Sequence, residues 1–233
     1  MNRPGSCFIT GTDTGVGKTR VTAALMTAFR ERGHRALGMK PVATGCTQTP
    51  AGLRNDDAEL IRSCCDEQTP YELINPYAFE EPVAPLFAAR SRRVVIEQQV
   101  IEAAFRQLSD NAEAVMVEGV GGWRMPLGPG LQLADIVRSL RLRVIMVVGL
   151  RLGCINHALL TAGAIRADGL VLSAWVANRI DPGYHRNDET LQLLTDELQA
   201  PLLGVIPYAA DFNRAETAGR LAANAMEILS VDG

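Results

Sequence analysis

A lysine and a threonine at the end of a glycine-rich run carry the clearest chemistry in this sequence: Gly11-Thr12-Asp13-Thr14-Gly15-Val16-Gly17-Lys18-Thr19. The run follows a short apolar stretch, Cys7-Phe8-Ile9-Thr10, and opens a helical pattern, the setting that a phosphate-binding loop requires. Glycines let backbone N–H groups turn toward phosphate oxygens with no Cβ in the way. The start of the helix adds partial positive charge. Lys18 would bring a point charge to the phosphates, and the Thr19 hydroxyl would reach Mg²⁺. The strict motif has glycine where this chain has Thr12, and Gly11 lies one residue out of register. A glycine-rich turn with a solvated lysine is the alternative, and the strand–loop–helix context weighs against it.

In a parallel sheet, ligands bind outside the carboxyl ends of the strands, so charged residues at strand ends are the next candidates. One apolar run ends in Lys40-Pro41 and another in Glu118-Gly119-Val120-Gly121-Gly122. Glu118 stands where phosphate-loop enzymes place a Mg²⁺-binding carboxylate; an ordinary solvated strand-end acid is the alternative. Lys40 would project to the same rim as Lys18, and two cations suit a reaction in which charge develops on a phosphoryl group. Asp56 and Asp57 could add a second carboxylate, or Asp56 could simply cap a helix. Gly153-Cys154-Ile155-Asn156-His157 begins a helix whose free N–H groups could hold a carboxylate; an ordinary strand–helix turn explains it as well. His157 alone reads as structural, and Trp123 and Trp175 as packing residues.

The elements that must position these groups follow from periodicity. Strand-length apolar runs at residues 7–10, 36–40, 114–118, 143–149, 170–178 and 203–206 alternate with helical patterns at 19–32, 96–108, 134–140, 155–167, 188–198 and 217–229. Strands without period-2 alternation, separated by helices, indicate a mainly parallel sheet covered on both faces: an α/β, doubly wound fold of the phosphate-loop NTPase type. Residues 42–95 are less regular and read as an excursion at one end of the sheet. One unit spanning 1–233 is expected.

The 233 residues, 47% of them hydrophobic, suffice for a well-filled core. With 23 basic against 26 acidic residues the net charge is −3, which directs the chain to neither nucleic acid nor an anionic membrane. No apolar run reaches the ~20 residues of a membrane span, and the opening Met1-Asn2-Arg3-Pro4-Gly5-Ser6 does not read as a secretory signal. The five cysteines include no CxxC pair, so reduced thiols in a cytoplasmic protein are expected. Cys64-Cys65 could be redox-active, but two small apolar side chains on a helix explain the pair equally.

Together the phosphate loop, Lys40-Pro41-Val42-Ala43, Asn55-Asp56-Asp57-Ala58, Asn75-Pro76-Tyr77, Glu81-Pro82, Val117-Glu118-Gly119-Val120-Gly121-Gly122-Trp123, Leu152-Gly153-Cys154-Ile155-Asn156-His157-Ala158 and Trp175-Val176-Ala177-Asn178 resemble the dethiobiotin synthetase family. The resemblance runs from residue 9 to about residue 208. It implies an ATP- and Mg²⁺-dependent cyclo-ligase that closes the ureido ring of dethiobiotin from diaminopelargonic acid and CO₂, through a carbamate and a carbamic–phosphoric mixed anhydride. It further implies Lys18 and Lys40 as catalytic groups and Thr19, Asp57 and Glu118 as metal ligands. The implied ATP site comprises Gly15, Val16, Gly17, Lys18, Thr19, Arg20, Asp57, Glu118, Gly119, Val120, Gly121, Asn178, Arg179, Pro207, Tyr208 and Ala209. Thr44 would contact substrate, and Gly153, Cys154 and Asn156 would take its carboxylate across a homodimer interface. On this reading Lys40→Ala ends ring closure and leaves the fold intact.

Three other classes compete. Regulatory ATPases of the chromosome-partitioning and division-site kind share the loop but carry a lysine where this chain has Asp13. Corrinoid amide synthases add a glutaminase domain for which no residues remain after the ATPase-like region. A small-molecule kinase would release a phosphorylated product rather than free phosphate.

Overall fold

The computed structural model describes residues 5–209 and 211–229. Residues 1–4 of the segment read for a secretory signal, and residues 210 and 230–233 of the expected unit, lie outside them. Six strands form the central sheet: β1 Cys7–Gly11, β2 Ala36–Met39, β3 Ala114–Glu118, β4 Arg143–Leu150, β5 Leu172–Arg179 and β6 Leu202–Ile206. Their order is β6-β5-β4-β1-β3-β2, with every pairing parallel. The helices are α1 Lys18–Arg30, α2 Asp56–Arg62, α3 Tyr71–Ile74, α4 Pro85–Arg92, α5 Gln98–Asp110, α6 Leu133–Leu140, α7 Cys154–Ala167, α8 Asn187–Glu197 and α9 Arg214–Ile228.

Each strand feeds two cores, which is why the strands show no polar alternation. Phe8, Val115, Val117 and Met146 pack with residues of α5, α6, α7 and α8 on one face. Cys7, Ile9, Met116 and Val147 pack with α1, α2 and α9 on the other, against Met26, Phe29, Ile61 and Leu221. Full burial of such side chains stabilises the fold by roughly 1.5–3 kcal/mol each. This two-sided burial holds the loops at the carboxyl edge of the sheet in place.

Several boundaries differ from the sequence expectation for identifiable reasons. Helix α1 stops at Arg30 and not at residue 32, because Gly33 takes a left-handed conformation (φ 86°) and its N–H returns to the Arg30 carbonyl at 3.0 Å. Strand β5 begins two residues late because Leu170 still closes α7, its N–H 3.2 Å from the Ile165 carbonyl. Residues 42–95 hold far more regular structure than expected. Besides α2, α3 and α4 they contain a parallel pairing of Val42–Ala43 with Tyr77–Ala78 and a hairpin of Thr47–Thr49 with Gly52–Arg54. A further hairpin, Pro126–Gly128 with Leu131–Gln132, was not expected at all; its Gly-Pro-Gly turn was the available signal. Elements of two or three residues are too short for periodicity to reveal.

The cysteines are free thiols. Burial pushes the Cys7 thiol up to about 12 and that of Cys65 up to about 11. The Cys64 and Cys65 sulfurs each lie 3.4 Å from a carbonyl one turn back on α2, those of Leu60 and Ile61, the ordinary packing of small side chains on a helix. Native protein at pH 8 should therefore leave Cys7 and Cys65 unmodified by iodoacetamide for a time that labels both in urea, as read by mass spectrometry. Rapid native labelling of Cys65 would restore the redox reading. Among the described residues no helix is long and apolar enough to cross a membrane.

Candidate active site

The crevice lies between β1 and β3. These neighbours send their chains to opposite faces of the sheet, β1 into α1 and β3 toward α6, and such a switch opens a cleft at the carboxyl edge. Ile9 of β1 pairs with Glu118 of β3, so the phosphate loop and the Glu118 loop leave the sheet side by side.

In the phosphate loop, Gly15 and Gly17 have φ of 74° and 96°, values that favour glycine. The register offset at Gly11 has a packing cause. A Cβ on Gly11 would stand 2.6 Å from Val16 Cγ2, so glycine is needed there, while Thr12 is held by its N–H to the Val147 carbonyl at 3.0 Å. The loop is also pinned from β5, where buried Asn178 donates its Nδ2 to the Val16 carbonyl at 2.8 Å. A methyl group on Gly17 would collide with that Asn178 amide. Gly17→Ala therefore combines backbone strain of about 1–3 kcal/mol with a displaced pin, and should weaken binding of an ATP analogue roughly ten- to a hundredfold. Isothermal calorimetry giving wild-type affinity would show that the loop does not hold the nucleotide.

The Lys18 side chain is buried and its ammonium donates to the Asp13 carbonyl at 2.9 Å. Burial, then the nearby Lys40 charge, pushes it down to about 8. Asp13 is held in turn by Arg151, at the start of the turn after β4, with Nη2 to Oδ2 at 2.5 Å.

The second group of charges surrounds Thr19. Its hydroxyl lies 2.7 Å from Asp57 Oδ1 and 3.0 Å from Glu118 Oε1. Lys40 donates to Asp57 Oδ2 at 2.8 Å and to Glu118 Oε1 at 2.5 Å. Asp57 reaches this point because α2 starts at Asp56, capped by Asn55, whose Oδ1 accepts from the Ala58 N–H at 3.3 Å. The cap is thus Asn55 and not Asp56. Glu118 and Lys40 are almost wholly buried, at 1% and 4% exposure, so their charges interact in a poorly screened setting. Burial opposes the Lys40 ammonium, but Glu118 and Asp57 outweigh it and hold the proton firmly. For Asp57 burial is likewise outweighed, chiefly by Lys40, and its carboxyl stays below the usual range. Burial pushes the Glu118 carboxyl up against the pull of Lys40.

Glu118 Oε2 is buried with no hydrogen-bond partner among the described residues. No cluster of three or more acidic, histidine or cysteine ligands occurs among them either. Two carboxylates, a hydroxyl and an unsatisfied carboxylate oxygen fit a Mg²⁺ ion that completes its shell with phosphate oxygens and water.

These groups open on two adjoining cavities. The larger, about 700 Å³, is lined by Gly15, Gly17, Lys18, Thr19, Arg20, Lys40, Thr44, Asp57, Glu118, Val120 and Gly121, with Pro82, Val83, Pro85 and Met125 on the opposite wall. The smaller, about 320 Å³, is lined by Gly15, Gly17, Arg20, Asn178, Arg179, Ile180, Tyr208 and Ala209. Arg20 borders both, its guanidinium 5.5 Å from the Phe212 ring centre. Arg179 pairs with Asp188 at 2.9 Å. Val16 and Gly119 lie beneath the site: both are buried, and a Cβ on Gly119 would meet the Phe8 ring at 2.8 Å. Pro207 is exposed and lines neither cavity. Nor do Gly153, Cys154 and Asn156, which begin α7; Gly153 and Asn156 are exposed and the Cys154 side chain is buried. Arg214 starts α9, where its Nη1 lies 3.0 Å from Cys64 Sγ. Sequence reasoning missed Arg151, Met125 and the Pro82–Pro85 wall; only the Glu-Pro-Val-Ala-Pro composition hinted at the last.

Fold and loop define a phosphate-loop nucleotide-binding enzyme. Similar solved structures include the MinD cell division protein of Aquifex aeolicus, at 18% identity and a TM-score of 0.55 over 96% of this chain and 94% of that one. The signal recognition particle receptor FtsY of Elizabethkingia anophelis aligns at 15% identity and a TM-score of 0.51 over 95% of this chain and 66% of that one. At such identities the likeness concerns the fold alone. A family model described as an AAA domain matches residues 6–216. The ATP-dependent dethiobiotin synthetase BioD of Xanthomonas oryzae pv. oryzae is 49% identical over 93% of this chain and 96% of its own length. The proteins of the same name from Xanthomonas euvesicatoria and Aromatoleum aromaticum are 52% and 48% identical, over 86% and 95% of this chain and 90% and 98% of their own. The chain belongs to the ATP-dependent dethiobiotin synthetase family, and is a ligase.

Proposed function

We propose that this enzyme closes the ureido ring of dethiobiotin from diaminopelargonic acid, CO₂ and ATP, releasing ADP and phosphate. The observation that carries this reading is the meeting of Lys18, Thr19, Lys40, Asp57 and Glu118 in one cleft beside an adjoining cavity of about 320 Å³. The smaller cavity takes the base, with Asn178, Arg179, Tyr208 and Ala209 around it. The glycine loop cradles the phosphates, and Lys18 turns from the Asp13 carbonyl to their oxygens. Thr19, Asp57 and Glu118 would hold Mg²⁺, which supplies charge neutralisation on the β- and γ-phosphate oxygens when bound.

One substrate amine adds CO₂ and loses a proton, giving a carbamate. A carbamate oxygen attacks the γ-phosphorus, the bond to the β–γ bridging oxygen breaks, and ADP leaves. The second amine then attacks the carbamoyl carbon, phosphate departs, and the ring is closed. The carbamate brings its own nucleophilic oxygen, so the cleft needs no strong base. What it needs is alignment and fixed positive charge, and buried Lys18 and Lys40 supply both. Thr44, half-buried at the mouth of the cleft, contacts the diamine.

The carboxylate end of the substrate lies on the α7 start of a second subunit, at Gly153, Cys154 and Asn156. A homodimer is supported by Leu152, in the turn before α7, and Leu160 on α7, exposed at 89% and 65%, apolar side chains that a second copy would cover. A cytoplasmic setting is part of the same proposal, supported by the free thiols.

The test is phosphate release from ATP and Mg²⁺ in bicarbonate buffer, with and without the diamine, alongside mass detection of the product. One phosphate per cyclic urea, dependent on the diamine, is expected. Hydrolysis indifferent to the diamine would leave an ATPase of unknown client, and a phosphorylated product would mark a kinase.

A further inference from the structure

A hydrogen-bonded chain runs from Asn55, at the wall of the larger cavity, behind the cleft, and grips the backbone of Lys40 and Thr44 without touching their side chains. The Asn55 N–H donates to the Tyr71 hydroxyl at 3.1 Å, and that hydroxyl donates to Asn75 Oδ1 at 3.4 Å. Asn75 Nδ2 donates to the Lys40 carbonyl at 2.7 Å and to the Tyr77 carbonyl at 3.1 Å. Lys40 is gripped from its other side as well, its N–H 2.7 Å from the Ile74 carbonyl. At the far end, Asn55 caps the helix that bears Asp57 and donates Nδ2 to the Thr44 carbonyl at 3.3 Å. Both protons of Asn75 Nδ2 meet carbonyls and its Oδ1 meets a hydroxyl, so the Asn75 amide has one orientation only.

Asn75 is 4% exposed and Tyr71 9%, and the Arg54 guanidinium lies 4.0 Å from the centre of the Tyr71 ring. A satisfied polar network in such a dry setting is stiff, whereas one missing member leaves partners unpaired. Its two ends are the backbone of Lys40 and the cap of the Asp57 helix. We propose that Tyr71 and Asn75 are positioning residues, which fix the spacing of the Lys40 ammonium, the Asp57 carboxylate and Thr44 independently of the phosphate loop. The nucleotide and Thr19 are held from α1, and Glu118 from β3, while Asp57 and Lys40 are held from α2 and α3. Groups that orient metal ligands typically matter by about 10–100-fold.

The inference rests on the proposed roles of Lys40 and Asp57, and its test has an arm that needs no diamine. Tyr71→Phe keeps the ring under Arg54 and removes only the hydroxyl. Calorimetry with a non-hydrolysable ATP analogue should show the Mg²⁺ concentration for half-maximal enhancement of binding raised about tenfold. Affinity without Mg²⁺ should stay within about twofold, because the loop is untouched. In the full reaction kcat should fall on the order of tenfold with the KM for ATP nearly constant. Asn75→Asp, which aims a carboxylate oxygen at two carbonyls, should move the same quantities further. A folded Tyr71→Phe enzyme with wild-type Mg²⁺ response and kcat overturns the proposal. So does a lowered thermal midpoint with both quantities unchanged, which marks a purely structural role. If the unaltered enzyme forms no cyclic urea, the reaction reading fails while the Mg²⁺ titration still decides the positioning role.

Discussion

Lys40→Ala should lower the rate of cyclic urea formation on the order of 10²–10³-fold and also cost about 3–5 kcal/mol of stability. The second effect revises the expectation from sequence, in which the fold was untouched. Lys40 is not a solvated cation that merely leans into a site. Its ammonium stands between Asp57 and Glu118, and the Glu118 side chain is 0% exposed. Without Lys40, the buried Glu118 carboxylate faces half-exposed Asp57 with only the more distant Lys18 charge and the Thr19 hydroxyl to offset it, and much of the desolvation that the ion pair had balanced is no longer opposed. Mg²⁺ should restore part of the lost stability by supplying positive charge between the same carboxylates. The double variant Lys40→Met/Glu118→Gln, which removes both charges, should recover stability and remain inactive. Urea denaturation with and without Mg²⁺, beside the urea-forming assay, reads both effects. Full activity with a native circular dichroism spectrum would remove Lys40 from the mechanism, and unchanged stability would refute its structural part.

Glu118→Gln should behave differently. The amide is isosteric and neutral, so its oxygen can still accept from Lys40 and Thr19, and because Lys40 keeps Asp57 as an ionic partner the stability loss should be smaller than for Lys40→Ala. What is lost is the anionic charge and, with it, the fit of the unsatisfied Oε2 to a hard cation. The Mg²⁺ requirement should rise at least about 10–100-fold, with kcat lowered even at saturating metal. Measuring rate against free Mg²⁺ at fixed ATP separates this from loss of nucleotide affinity, since the phosphate loop is unaltered. An unchanged Mg²⁺ requirement would argue against metal ligation by Glu118. The contrast between the two variants is itself informative: Lys40→Ala takes the one shared cation from both carboxylates, whereas Glu118→Gln leaves Lys40 its pair with Asp57.

Much of the architecture was legible in the chain. Six strand-length apolar runs without alternation can only be covered on both faces, and glycine followed by lysine and threonine after such a run admits few readings. The family resemblance rested on stretches that lie far apart in sequence, and relatives 48–52% identical bear it out. Local signals failed where elements were short or where one residue could serve two ends. The hairpin at Pro126–Gly128 showed only its Gly-Pro-Gly turn, and the choice of Asn55 over Asp56 as cap depends on which side chain the turn aims back at the Ala58 N–H.

By itself the sequence pointed to the fold class and the phosphate loop and singled out Lys18, Lys40 and Glu118 as candidates by residue type, spacing and strand ends, while the choice of Asp57 over Asp56 came from the family resemblance. Only the tertiary structure decided that Lys40 is an ion-paired, buried structural element as well as a rim cation. Residues 17 to 78 positions apart meet within 3 Å there, and no periodicity encodes such a meeting. It also decided that Arg151 braces Asp13 across 138 residues, and that Asn55, Tyr71 and Asn75 form one chain behind the cleft. The physical reason is common to all three. Secondary structure is written in short-range patterns, whereas the electrostatics of a site depend on which distant groups the packed sheet brings out of water together.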